Sequence, residues 1–134
     1  MNLQLPIHHI GVACKSIEEE MQVFTQLGFK EEANFIDEKQ GVRGKFIIPS
    51  CMDYPQYRLE LLENINEHGV LDSYLKKNNK MYHIAYESKN IQRDLALFPK
   101  ESLVVVPIID AVYFAKICFV MMPNRFLIEL VELK

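Results

Sequence analysis

Residues 9–24, HIGVACKSIEEEMQVF, and residues 83–98, HIAYESKNIQRDLALF, carry one pattern twice, 74 positions apart. His9 aligns with His83, Ile10 with Ile84, Lys15 with Lys89, Ile17 with Ile91 and Phe24 with Phe98, and Met21 falls opposite Leu95. A second pair, YRLELLE at 57–63 and FLIELVE at 126–132, follows in the same order, each with one glutamate inside an apolar run. Repetition of this kind predicts two copies of one supersecondary unit, neither able to bury its apolar face alone.

Each copy parses as a strand followed by a helix. Ser16-Ile17-Glu18-Glu19 fits a capping box, Ile17, Met21 and Phe24 form a helical stripe, and Gly28 stands where a left-handed residue would end the helix. In the second copy Asn90 is the cap, Ile91, Leu95 and Phe98 are the stripe, and the helix ends before Pro99. Strand-like runs come next: GKFIIP and YRLELLE in the first copy, LVVVP, VYFAKICFVMM and FLIELVE in the second, with turn residues Pro49, Pro107, Pro123 and Asn124 between them. The expected fold is α+β, two βαβββ modules forming a curved mixed sheet. Module one spans 1–66 and module two 81–134. Between them Val70, Leu71, Tyr74 and Leu75 have helical spacing and Asn78-Asn79 can stop a helix, so 67–80 reads as a linker helix within a single domain of residues 1–134.

Composition narrows the function classes. The chain has 134 residues, 49% of them apolar, enough for one core. Its 15 basic and 18 acidic residues give a net charge of −3 without a clustered basic patch, which argues against nucleic acid as a partner. Cys14, Cys51 and Cys118 are odd in number and lack CxxC spacing, so they read as free thiols. No run approaches the roughly 18 apolar residues of a membrane span, and MNLQLPIHHIGVAC lacks a signal-peptide pattern. A soluble cytoplasmic protein with no membrane partner is expected.

Candidate chemistry follows from strand alternation. His9 shares a face with Gly11 and Ala13, which leave space around it. Glu60 and Glu129 interrupt apolar strands, where a carboxylate faces solvent or is buried with a partner. If the copies are related by a pseudo-twofold axis, two imidazoles and two carboxylates could converge in the concave face of the sheet. That donor set, lacking thiolate, suits a catalytic divalent ion better than a closed structural zinc site. His8 points away from His9 by alternation and is assigned no metal role. His68 reads as a solvated loop residue. Glu63 and Glu132, three positions past Glu60 and Glu129, fall on the opposite face and read as solvated, while Glu87 shares the face of His83 and Ala85 and is a candidate for a polar rim.

The opening HHIGVA, the strand RLELLE, YHIAYE and the closing FLIELVE resemble the glyoxalase and bleomycin-resistance superfamily, also called vicinal oxygen chelate, and within it the methylmalonyl-CoA epimerase-like branch. The resemblance implies that His9, Glu60, His83 and Glu129 are metal ligands for zinc, nickel, cobalt, manganese or iron. It implies that the ion polarises a substrate carbonyl, possible substrates being an acyl-CoA or another carbonyl compound. Glu129 would then move a proton as catalytic base or acid, in an isomerase, epimerase or glyoxalase-type lyase. A homodimer is expected. The alternative is a non-catalytic protein of the same fold that sequesters small molecules, drugs among them; those members usually lack the full quartet. The resemblance also leads one to expect an acid–base glutamate in the strand after QGV, yet KQGVRGKFI presents Arg43 and Gly44, and Ala115 stands where related turns tend to carry glycine. Arg43 and Lys116 are candidates for anion binding, and Tyr86, Tyr113 and Phe114 for lining a pocket. His9 to Glu60 spans 51 positions and His83 to Glu129 spans 46, so the second copy is five shorter, a difference assigned to the loops between LVVV and AKICF.

Overall fold

The computed structural model describes residues 3–51 and 57–134. The elements run β1 (Ile7–Cys14), α1 (Ile17–Gln26), β2 (Phe29–Asp37), β3 (Val42–Pro49), β4 (Leu59–Asn64), α2 (Asp72–Lys76), β5 (Met81–Glu87), α3 (Ile91–Leu95), β6 (Leu103–Asp110), β7 (Lys116–Met121) and β8 (Leu127–Glu132). The α+β class and the two βαβββ repeats hold. Two compact units result, one of His9–Tyr82 and the other of His83–Lys134 with the N-terminal stretch that ends at His8.

In the His9–Tyr82 unit the strand order is β2-β3-β4-β1, with β1 and β4 parallel and the other neighbours antiparallel. The other unit repeats this as β6-β7-β8-β5, with β5 and β8 parallel. A parallel pair needs a crossover, and the helix after β1 and after β5 begins that crossover in each copy. Strand β2, FKEEANFID, was not among the predicted strands. It lies at the edge of its unit, where Lys30, Glu31 and Glu32 face solvent, Glu31 pairs with Lys45 and Glu32 pairs with Arg58. Charge on an edge strand is expected, because it opposes pairing with another chain.

The helix caps form as the sequence predicts. The Ser16 hydroxyl accepts the Glu19 N–H at 3.2 Å and the Asn90 side chain accepts the Arg93 N–H at 2.9 Å. Three glutamates in the first turn of α1 suit its positive end. Gly28 closes that helix at φ +90°, a conformation that penalises a side chain, and its carbonyl accepts the Ser50 N–H at 2.7 Å. Ile17, Met21 and Phe24 pack on Val12, Leu59 and Leu61, while Ile91, Leu95 and Phe98 pack on Cys118, Val120 and Leu130. Burial raises both core thiols, Cys14 to about 12, which keeps them protonated and inert.

Three expectations are corrected. The linker helix is shorter than 67–80, running only Asp72–Lys76, because the chain turns at Asn78 with φ 55°. Glu63 and Glu132 are not solvated: Glu63 accepts the Ile17 N–H and Glu132 the Ile91 N–H, both at 2.9 Å. Each ties the last strand of its repeat to the open N-terminus of its helix, which satisfies a donor left free by helix geometry. The five-residue difference does not arise between β6 and β7. Nine residues join β3 to β4 and only five join β7 to β8, where Asn124 accepts the Phe126 N–H and Arg125 adopts φ 72° in a tight turn. Ala115 causes no strain, since its φ is not positive.

Among buried charges outside the strands, Asp94 is held by the Ser88 hydroxyl at 2.5 Å and Arg93 Nε at 3.0 Å. The Ser88 hydrogen bond, with help from Arg93, holds its carboxyl below the usual carboxylate range. A depressed native pKa adds stability that is present above the unfolded value of about 3.9 and is lost as pH falls through the native one. Ser88→Ala is therefore expected to destabilise the fold by roughly 1–3 kcal/mol at neutral pH. In urea unfolding the gap to the parent protein should narrow as the pH is taken below 4.

Candidate metal centre

Each repeat builds one buried imidazole–carboxylate pair. In the His9–Tyr82 unit the parallel register sets Gly11 beside Glu60, with His9 one same-face step before Gly11. His9 Nε2 lies 3.2 Å from Glu60 Oε1. In the other unit Ala85 stands beside Glu129, with His83 one step before it, and His83 Nε2 lies 3.0 Å from Glu129 Oε1. His9 is fully buried, and Glu60, His83 and Glu129 are at most 5% exposed.

An aromatic edge fixes each imidazole. Phe46 meets His9 at a ring-centre distance of 5.2 Å and 68°, and Phe119 meets His83 at 5.1 Å and 88°. Both phenylalanines sit opposite the glutamate of their pair in the neighbouring antiparallel strand. The sequence reading missed them, although Phe46 and Phe119 are 73 positions apart, within one of the repeat offset.

Two buried carboxylates are costly to hold unless positive charge meets them. Each lies against a ring nitrogen, and all four side chains offer a ligand atom, so the donor set of two imidazoles and two carboxylates fits a divalent ion. The structure thus brings His9 to Glu60 and His83 to Glu129.

The remaining candidates fall elsewhere. Arg43 reaches Glu63 at 2.9 Å on the helix side of the sheet, and Lys116 pairs with Asp110 at 3.1 Å, so neither anion-binding candidate faces its histidine. Gly44 does share the face of Glu60, but a Cβ there would lie 2.2 Å from the Phe35 ring. The expected glutamate of β3 therefore has no room while Phe35 stands where it does. His8 is buried edge-on against Phe114 at 4.9 Å, and Tyr113 in turn packs on Phe114 at 5.2 Å. His68 is exposed and meets Asp72 at 3.2 Å. Tyr86 lines a cleft of about 540 Å³ with Leu5, Phe98, Met122 and Leu130, on the α3 side of its strands.

The family model of the glyoxalase/bleomycin resistance protein/dioxygenase superfamily matches residues 8–120. The chain belongs to that superfamily. Among solved structures it is similar to a Streptomyces coelicolor methylmalonyl-CoA epimerase variant in complex with 2-nitronate-propionyl-CoA, at 27% identity and a TM-score of 0.79 over 97% of this chain and 99% of that one. A methylmalonyl-CoA epimerase in complex with methylmalonyl-CoA and NH4+ matches at 26% identity, TM-score 0.79, over 98% of this chain and 96% of that one. The Mycobacterium tuberculosis methylmalonyl-CoA epimerase shares the fold at 19% identity and a TM-score of 0.78, over 100% of this chain and 93% of that one. A comparison with curated proteins found no match. No helix among the described residues is long and apolar enough to cross a membrane.

Proposed function

We propose that the chain is a metal-dependent epimerase that moves the proton on a carbon next to the thioester carbonyl of an acyl-CoA, methylmalonyl-CoA being the first substrate to test. The observation that carries this reading is the duplicated buried pair, His9 with Glu60 and His83 with Glu129. Similarity to methylmalonyl-CoA epimerases at 26–27% identity supports the substrate class.

In this reading His9, Glu60, His83 and Glu129 are the ligands of one divalent ion. When bound, the ion supplies Lewis acidity to the substrate oxygen and makes the neighbouring C–H more acidic. Glu129 accepts the proton, and the electron pair of the broken C–H bond moves onto the carbonyl as an enolate. Phe119 keeps the His83 ring from turning, and the apolar strands around both pairs exclude water and strengthen the charges inside. The protein acts in the cytoplasm as a homodimer, a state supported by Leu103, Val104 and Val105, which leave an apolar, exposed stretch on the edge strand β6.

The experiment is elemental analysis of the purified protein, followed by a single epimer of methylmalonyl-CoA offered to the metal-loaded chain. One divalent ion per chain and formation of the other epimer are expected. Failure to bind stoichiometric metal overturns the reading. Stoichiometric metal without turnover would favour the small-molecule-sequestering alternative, which the retention of both His–Glu pairs argues against.

A further inference from the structure

Inversion at carbon needs proton removal on one face and delivery on the other, so an epimerase built around Glu129 needs a second proton carrier. In the His9–Tyr82 unit the face beyond Glu60 is Phe46, Gly44 and Phe35, and the carboxylate farther along it, Asp37, is committed to the Gln40 N–H at 3.1 Å in the β2–β3 turn. In the other unit the face that bears His83 and Glu129 continues through Ala85 and Phe119 to Val131, Ile117 and Glu87. We infer that Glu87 is the second acid–base residue of the proposed reaction, an assignment that rests on that reading.

Its placement supports the role. Glu87 pairs with Val131 in the parallel ladder, one same-face step past the Ala85–Glu129 pair. Strand rise and strand spacing put its Cα about 8 Å from that of Glu129, room for a substrate carbon between two carboxyl groups. The side chain is half-buried, and among the described residues its carboxyl group makes no hydrogen bond or ion pair. The neighbouring acids differ: Glu132 is bound to the Ile91 N–H and Asp94 to Ser88 and Arg93. The backbone under Glu87 is fixed, its N–H donating to the Pro6 carbonyl and the Ser88 N–H to that of Val131, both at 2.8 Å. A carboxyl group held by a fixed strand end and not committed to another described residue meets the geometric requirement for a positioned acid.

The step balances. The Glu129 carboxylate takes the α-proton, the C–H electron pair becomes the enolate, and the Glu87 carboxylic acid gives its proton to the opposite face. A new C–H bond forms and Glu87 is left as a carboxylate. In the reverse direction the two acids exchange roles.

The test follows each epimer of methylmalonyl-CoA separately in D2O with metal-loaded parent protein, Glu87→Gln and Glu87→Asp. The parent should exchange and invert both epimers. Glu87→Gln should invert at least about 100-fold more slowly. It should still wash deuterium into one epimer without inversion and leave the other inert, with unchanged metal content. Glu87→Asp should recover part of the inversion. Inversion at the parent rate in Glu87→Gln, or equal loss of exchange for both epimers, overturns the assignment. A parent protein that neither exchanges nor inverts fails the underlying epimerase reading, and the assignment falls with it.

Discussion

Glu129→Gln is expected to lower turnover of methylmalonyl-CoA by about 10²–10⁴-fold, the usual worth of a positioned general base. The amide keeps the size of the side chain and an oxygen that can still face the ion, but it cannot accept a proton from carbon. Glu60→Gln makes the same chemical change in the other repeat, beside His9 at the same kind of register. In the proposed mechanism Glu60 only holds the ion, so its substitution should weaken metal binding with a smaller loss of turnover at saturating metal. Metal titration and the rate at saturating metal, measured on both variants, separate holding an ion from moving a proton. Equal turnover losses in the two variants, or parent turnover in Glu129→Gln, would remove Glu129 from the base role.

Much of this candidate site is legible in the sequence, and the reason is duplication. A histidine on a strand is weak evidence; His9 and His83 at one offset, each followed by a glutamate inside an apolar strand, are stronger because alternation alone does not require them twice. Helix starts were legible for a similar reason, since Ser16 and Asn90 carry their capping chemistry locally. What stayed hidden depends on partners far along the chain. Nothing local marks FKEEANFID as a strand, because its charges are satisfied by Lys45 and Arg58 across the sheet. Alternation put Glu63 and Glu132 correctly on the helix side, yet it could not show that a helix N-terminus there donates an N–H to each of them. Gly44 looked like a missing glutamate, and only the ring of Phe35 above it explains why a side chain is excluded.

Phe46→Ala should damage stability severely. Phe46 is fully buried, packs on Phe35 with ring centres 5.6 Å apart and meets the His9 ring edge-on. Truncating a buried phenylalanine to alanine costs about 3–5 kcal/mol, because lost contacts and a cavity add together. Phe46→Leu keeps most of the volume and should cost less than about 1.5 kcal/mol. Leucine, however, offers no aromatic edge to hold the imidazole plane, so His9 gains rotational freedom next to Glu60. If Phe46 positions a metal ligand, Phe46→Leu should lose roughly 10–100-fold in metal affinity while its urea midpoint changes little. Phe119→Leu should do the same to His83, since the two contacts match in distance and occupy equivalent places in the repeat. Affinity loss that merely tracks stability across the three variants would reduce both phenylalanines to core packing. Affinity loss without it would mean that each repeat carries three coupled residues, an imidazole, a carboxylate and the ring that aims the imidazole.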